Sequence, residues 1–159
     1  MARLIPNDNT WVGFATTIAA TDLVPTAAEV AAAVNLTHWL VSLNASASGN
    51  TVPTPSFDTL FETSIPGTTQ GTATADFYRD DTTDTAWTTL PRATNGFLIV
   101  SRFGGAGTAN MPIAADKVEV WPVRVISRTM ANMANNTVMT FTVSFSIPVE
   151  PNESATVAA

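Results

Sequence analysis

The side chains that could do chemistry are few. One histidine, His38, stands beside Trp39, and the chain has no cysteine to join it in a zinc site. A Ser-His-Asp relay would have to use that histidine, and no Gly-x-Ser-x-Gly elbow accompanies it. It reads as a packing or interface residue. Asp76, Asp80, Asp81 and Asp84 crowd one stretch and could offer oxygens to calcium. They lack the glycine and the terminal glutamate of a calcium loop, and capping of a helix would account for Asp81 and Asp84. Two of them could serve as a glycosidase pair, but no aromatic cleft can be traced around them. Gly104, Gly105 and Gly107 form a flexible turn rather than a phosphate loop, since no Gly-Lys-Ser/Thr follows. The four tryptophans, Trp11, Trp39, Trp87 and Trp121, fall in separate segments, as core or interface anchors do. No catalytic set, metal or cofactor is expected, so the chain reads as a non-enzyme.

Composition points the same way. The 159 residues suit a single domain, 1–159, with a sizeable core. Charged residues make up 13%, about half of the roughly 25% usual in soluble domains. Low charge suggests that neighbouring subunits cover much of the surface. The net charge of −6 and the single lysine, Lys117, argue against a dedicated nucleic-acid binder. No apolar run approaches the roughly 18 residues of a membrane helix, and the first residues lack the apolar stretch of a signal peptide. A soluble protein made in a cytoplasm is expected, which makes the Asn-x-Ser/Thr matches chance occurrences.

Threonine, serine and ten prolines favour strands and turns over helices. The clearest strand signal runs from Thr137 to Ile147. Met139, Phe141, Val143, Phe145 and Ile147 alternate with Thr140, Thr142, Ser144 and Ser146. Successive strand residues point to opposite faces, so one face is apolar and the other carries hydroxyls without charge. Phe141, Val143 and Phe145 belong in the core. The hydroxyl face asks for a smooth wet surface, and Thr72 to Tyr78, with Thr72, Thr74 and Asp76, is the next strand able to supply one. Further strands are expected at Trp11–Ile18, His38–Leu43, Phe97–Phe103 and Val118–Ser127, the last with Pro122 at an edge, bulge or bend.

Two short helices are expected. Thr26 and Glu29 have capping-box spacing ahead of Val30 and Val34, which would face the core. Asp81 and Asp84 would open a second helix whose apolar stripe is Trp87 and Leu90, stopped by Pro91. Residues 44–65, with Gly49, Pro53, Pro55 and Phe57, read as an irregular loop or long hairpin of about twenty residues, a length that is often functional. Residues 1–10 and 148–159 read as polar arms. The fold class is mainly β: a sandwich or small barrel with one or two short flanking helices.

Several patterns in order carry a resemblance. They are Pro25-Thr26-Ala27-Ala28-Glu29 leading to Asn35-Leu36-Thr37, Thr72-x-Thr74-x-x-Phe77-x-Arg79-Asp80, Asp84-Thr85-Ala86-Trp87 with Leu90, Gly96 to Val100, Val118 to Val123, and Phe141 to Ile147. Together they resemble the major tail tube proteins of long-tailed, non-contractile bacteriophages, those of actinobacterial hosts above all. The resemblance implies a β-sandwich whose inner strands join, six copies to a ring, into one continuous barrel. It implies stacked rings bridged by a long hairpin and terminal arms, and a lumen for genome ejection. The implied partners are the chain itself, a tape measure, a terminator and passing DNA, with no membrane, in a virion assembled in the host cytoplasm. On this reading Thr140, Thr142, Ser144, Ser146, Thr72, Thr74 and Asp76 face the lumen, and Gly49, Pro53, Pro55 and Phe57 bridge rings. A capsid decoration protein, a tail terminator, a secretion-tube ring and a carbohydrate-binding sandwich are the alternatives.

Overall fold

Alternating apolar residues mark out the strands of one large sheet. The computed structural model describes residues 9–58, 60–131 and 133–159. In chain order it contains β1 (Trp11–Ala15), α1 (Ala27–Ala32), β2 (Val34–Asn35), β3 (Leu40–Thr54), β4 (Thr63–Tyr78), α2 (Thr85–Thr89), β5 (Asn95–Ser101), β6 (Lys117–Met130), β7 (Thr140–Ser146) and β8 (Asn152–Thr156). Short 3-10 turns occupy Thr37–Trp39 and Thr108–Asn110. The fold is mainly β, as its composition requires.

The strands pair antiparallel in the order β2-β1-β5-β6-β7-β4-β3, with β8 on β6. β2 and β3 stand at opposite ends of that order, yet only Leu36 to Trp39 connects them. In a flat sheet six strand spacings would part them by about 29 Å. A connection this short reaches about 18 Å. The sheet therefore has to roll, and rolling wraps it around one core. That core holds Val12 and Phe14 from β1, Leu98 and Val100 from β5, and Trp121, Val123 and Val125 from β6. Phe141, Val143 and Phe145 of β7 join Ala73, Ala75 and Phe77 of β4, and Ala86 and Leu90 close it from the α2 side. A second cluster covers the outer face of β1, β5 and the first half of β6, where Trp11, Ile99, Val118 and Val120 meet Val30 of α1 and Ala155 and Val157 near the C-terminus. So β1 and β5 are packed on both faces, while β7 and β4 are packed on one.

The local signals resolve in different ways. The capping box forms: the Thr26 amide donates to Glu29 Oε2 at 2.8 Å and the Glu29 amide to Thr26 Oγ1 at 3.3 Å. Val34, expected to face the core, is instead exposed in β2, because α1 ends at Ala32. His38 lies exposed in a 3-10 turn rather than a strand, edge-on to Trp39 at 5.3 Å. The second helix starts one turn later than expected. Asp84 is its N-cap residue in a left-handed conformation, φ 44°, and caps nothing with its side chain. Its carboxylate pairs with Arg79 at 2.5 Å instead. Asp81 is not the cap either. Its neighbour Asp80 accepts from the Trp39 indole at 3.3 Å and from the Thr82 amide at 3.0 Å.

Three further expectations change. The Gly104–Gly107 turn is pinned, not loose: the Ile113 and Ala106 amides both donate to Asp116 Oδ2 at 2.9 Å, which holds that carboxyl below its ordinary pKa. The C-terminal stretch is not an arm. β8 pairs with β6, Ala155 and Val157 are buried, and Thr26 bridges Ala158. Two apolar residues in a polar stretch suffice to dock it, since the outer face of β6 needs cover. Pro122 lies within β6, between the β8 pairing that ends at Val120 and the β7 pairing that begins at Arg124. One flank of the strand is unoccupied there, which is where proline is tolerated. The N-terminal arm falls largely outside the described residues.

Candidate functional site: a hydroxyl face and a projecting hairpin

β7 positions the face. Phe141, Val143 and Phe145 turn into the core, which forces Thr140, Thr142, Ser144 and Ser146 outward. The strand is shorter than the sequence pattern: Met139 precedes it and is 44% exposed, and Ile147 follows it, half-buried against the core.

Register extends the face across its neighbours. Residues directly paired in an antiparallel ladder share a face. One row therefore holds Ser42, Asp76, Thr142 and Thr129. The next holds Asn44, Thr74, Ser144 and Ser127, and the third Ser46, Thr72, Ser146 and Arg124. Asn95 of β5 pairs with Arg124 and prolongs the third row. All seven hydroxyl-face candidates from β4 and β7 thus come together on one side of the sheet.

The face is not free of charge once assembled. Asp76 accepts from Ser42 Oγ at 2.6 Å and from Thr142 Oγ1. The Ser42 bond first, then the Thr142 bond, hold its carboxyl below the ordinary range. Its charge is therefore shared with two hydroxyls. Arg124 escapes a reading of β7 and β4 alone. It follows Val123 in an apolar strand, and only the pairing with Ser146 shows which face it joins.

On the core side α2 backs this half of the sheet. Trp87 is half-buried rather than fully buried, and it meets Phe141 edge-on at 5.1 Å. Arg79 and Arg128 cover its ring, with guanidinium carbons 4.2 and 3.9 Å from the centroid. A register shift between Val125 and Ser127 brings Arg128 opposite Val143, on the core side, where it donates to the Trp87 carbonyl at 2.9 Å. Leu90, just past α2, is fully buried. Among the described residues no three His, Cys, Asp or Glu side chains stand close enough to hold a metal ion, and no helix is long and apolar enough to cross a membrane.

Most of the segment expected as an irregular loop is ordered as strand. β3 and β4 continue as a two-stranded hairpin, through Gly49 paired with Thr69 and Pro53 with Ser64. Its threonines and Val52 favour the ladder, and Pro53 is tolerated because β3 is an edge strand. β4 meets β7 only from Thr72 onward, so among the described residues the outer hairpin is paired to nothing but itself. Pro55 and Phe57 lie in the connection, where Phe57 and Leu60 are fully exposed.

Comparison with known proteins fixes the family. The profile described as "Phage tail tube protein" matches residues 1–159. No curated protein matches the chain. Among solved structures, a chain of the virion of a native gene transfer agent superposes with a TM-score of 0.59 at 10% identity, covering 97% of this chain and 99% of that one. A chain from the tail of an empty gene transfer agent particle, refined with C6 symmetry, gives 0.59 at 11% identity over 96% and 100%. A chain from the sheath/tube terminator structure of an extracellular contractile injection system gives 0.63 at 11% identity over 94% and 96%. At such identities the structures speak for the fold. The profile, which spans every strand described above, speaks for descent: the chain belongs to the phage tail tube protein family.

Proposed function

We propose that this chain builds the tube of a long, non-contractile phage tail. Six copies close a ring around a lumen lined by β6, β7, β4 and β3, rings stack through the projecting hairpin, and the genome leaves through the channel. The observation that carries this reading is the open edge of β3. It is fifteen residues long and ends the strand order. A long uncovered edge invites pairing, and closure into a barrel removes it. Directions favour closure. β6, β7, β4 and β3 alternate, so β3 of one copy runs antiparallel to β6 of the next. Ser127–Met130 of β6 has β7 on one side and no strand on the other among the described residues. Joining these edges makes the hydroxyl face continuous. The C6 symmetry of the gene transfer agent tail supports six copies.

The face suits a conduit. Hydroxyls hydrate the wall and hold phosphate only weakly, so DNA slides. Tape measure and terminator proteins are the expected partners inside and at the end of the tube, with assembly in the host cytoplasm. Likeness to a chain of a sheath/tube terminator structure favours one alternative, a single capping ring.

Electron microscopy of the purified chain over a rising concentration series tests both. Stacked tubes are expected; isolated rings would favour the terminator, and monomers at every concentration would refute assembly. Thr142→Arg should still form tubes yet slow genome ejection, with relief at high salt. Loss of assembly in that variant would place the face at a subunit interface instead.

A further inference from the structure

Two rows of the hydroxyl face differ in one respect. In the Asp76 row the polar groups satisfy one another, as Ser42 and Thr142 both donate to the carboxylate. In the Arg124 row they do not. Arg124, Asn95, Ser146 and Thr72 stand side by side by register, and no side-chain hydrogen bond or ion pair engages any of them among the described residues. Arg124, Asn95 and Thr72 are exposed.

The other described arginines are committed. Arg102 grips Glu119 with two nitrogens. Arg79 pairs with Asp84 and covers Trp87. Arg128 donates to the Trp87 carbonyl, and Arg92 donates to the Ile126 carbonyl at 3.4 Å. Among the described arginines Arg124 alone keeps its whole donor fork available. Its row has no carboxylate, and neither has the row beside it. Within the three rows the one acid, Asp76, lies two rows away and is already bonded.

We propose that the Arg124 row is an anion-binding site for phosphate groups of nucleic acid. A guanidinium flanked by a carboxamide and two hydroxyls presents only donors or donor-capable groups, and a guanidinium takes a phosphate with two parallel hydrogen bonds. One such row per chain gives a weak contact, strong only when many chains repeat it. Phosphate recognition itself stands on the exposed face of one chain. Its use against DNA in transit rests on the lumen assignment proposed above. In that setting each ring would carry a circle of guanidinium groups two rows from the Asp76 carboxylates, and DNA sliding along the hydroxyl wall would pass a weak, repeated phosphate contact at every ring.

The test uses the full chain with a short DNA duplex, with pyrophosphate and with a glutamate-rich peptide of matched charge. Equilibrium dialysis at low salt reads binding per chain. Duplex and pyrophosphate should bind, and Arg124→Gln should weaken both at least tenfold. Arg124→Lys should restore part of the affinity, and Lys117→Gln, which removes an exposed cation at the far end of β6, should change nothing. The log–log salt dependence for the duplex should lose about one unit of slope in Arg124→Gln. Circular dichroism checks that each variant is folded. Equal duplex affinity in Arg124→Gln and the unaltered chain overturns the site. Tighter binding of the peptide than of the duplex overturns the assignment to phosphate. Neither result depends on tube formation, so the site and the conduit reading can fail separately.

Discussion

The β3–β4 hairpin is one pair of strands in two environments. Its inner half, Ser42–Ser46 against Thr72–Asp76, has β7 beside it and a core behind it, where Ala73, Ala75 and Phe77 are buried. Its outer half, beyond Ser48 and Gln70, has neither, and Val52 and its partner Ile65 stay 47% and 54% exposed. Strand pairing runs through both, with one register shift, between Gly49 and Thr51, in the outer half. What differs is whether alternate side chains leave water, and that burial supplies most of a sheet's stability. An isolated two-stranded ribbon is marginal in water. The outer half thus contributes little to holding the subunit together, as the bridging role proposed for it requires, while the inner half is backed by the core.

The sharpest way to break this contrast is to remove its backing. Phe141 is fully buried behind the face, stacked on Phe77 at 5.5 Å. Phe141→Ala should cost about 3–5 kcal/mol by its lost burial and the cavity left. Calorimetry should show the melting temperature falling by about 10 °C or more. A shift under about 2 °C would mean that the inner half does not depend on this core.

Trp87→Ala should have a smaller effect, about 2 kcal/mol. The ring is only half-buried, and it supplies one edge contact to Phe141 and two stacked guanidinium groups. Urea midpoints for the two variants should rank in that order, and the reverse ranking would show that α2 rather than the strand face is the keystone.

Excising the outer half should hardly change stability. Gly49 and Thr69 are directly paired, so Asn-Gly in place of residues 50–68 makes a tight two-residue hairpin. Unfolding free energy should change by under about 1 kcal/mol, while micrographs should show that stacking is lost. Long tubes from this variant would remove the hairpin from the stacking role.

The smallest effect is in acid. The Asp76 carboxyl is held below its ordinary pKa by Ser42 and Thr142, so its stabilising contribution is complete above the ordinary value. That contribution is lost as pH falls from there through the depressed value. A melting-temperature profile in this acid range should be shallower in Asp76→Asn than in the unaltered chain. Parallel profiles would show that the two hydroxyl bonds do not form in solution.

Legibility followed the range of the interactions. The Thr26–Glu29 box is formed by residues three apart, and the face of β7 by an alternation of two, so both could be read directly. The helix at Asp84 was misplaced because Asp81 and Asp84 have local capping chemistry, while Arg79, outside the helix, claims the carboxylate of Asp84. The outer hairpin resembled a loop because glycine, proline and serine give the same signal in a turn and in an exposed ribbon.

The sequence by itself determined that the chain is mainly β, which residues of β7 turn inward, and where the first helix begins, because each depends on nearest neighbours along the chain. The tertiary structure alone decided that the sheet rolls while leaving β3 an edge, that Ala155 and Val157 dock a C-terminal stretch which reads as an arm, and that Arg124 joins the hydroxyl face. Each of these turns on which strand lies beside which and in what register. A slip of one residue would send Arg124 to the core, and that register is set by packing between segments distant in sequence, which no local pattern records.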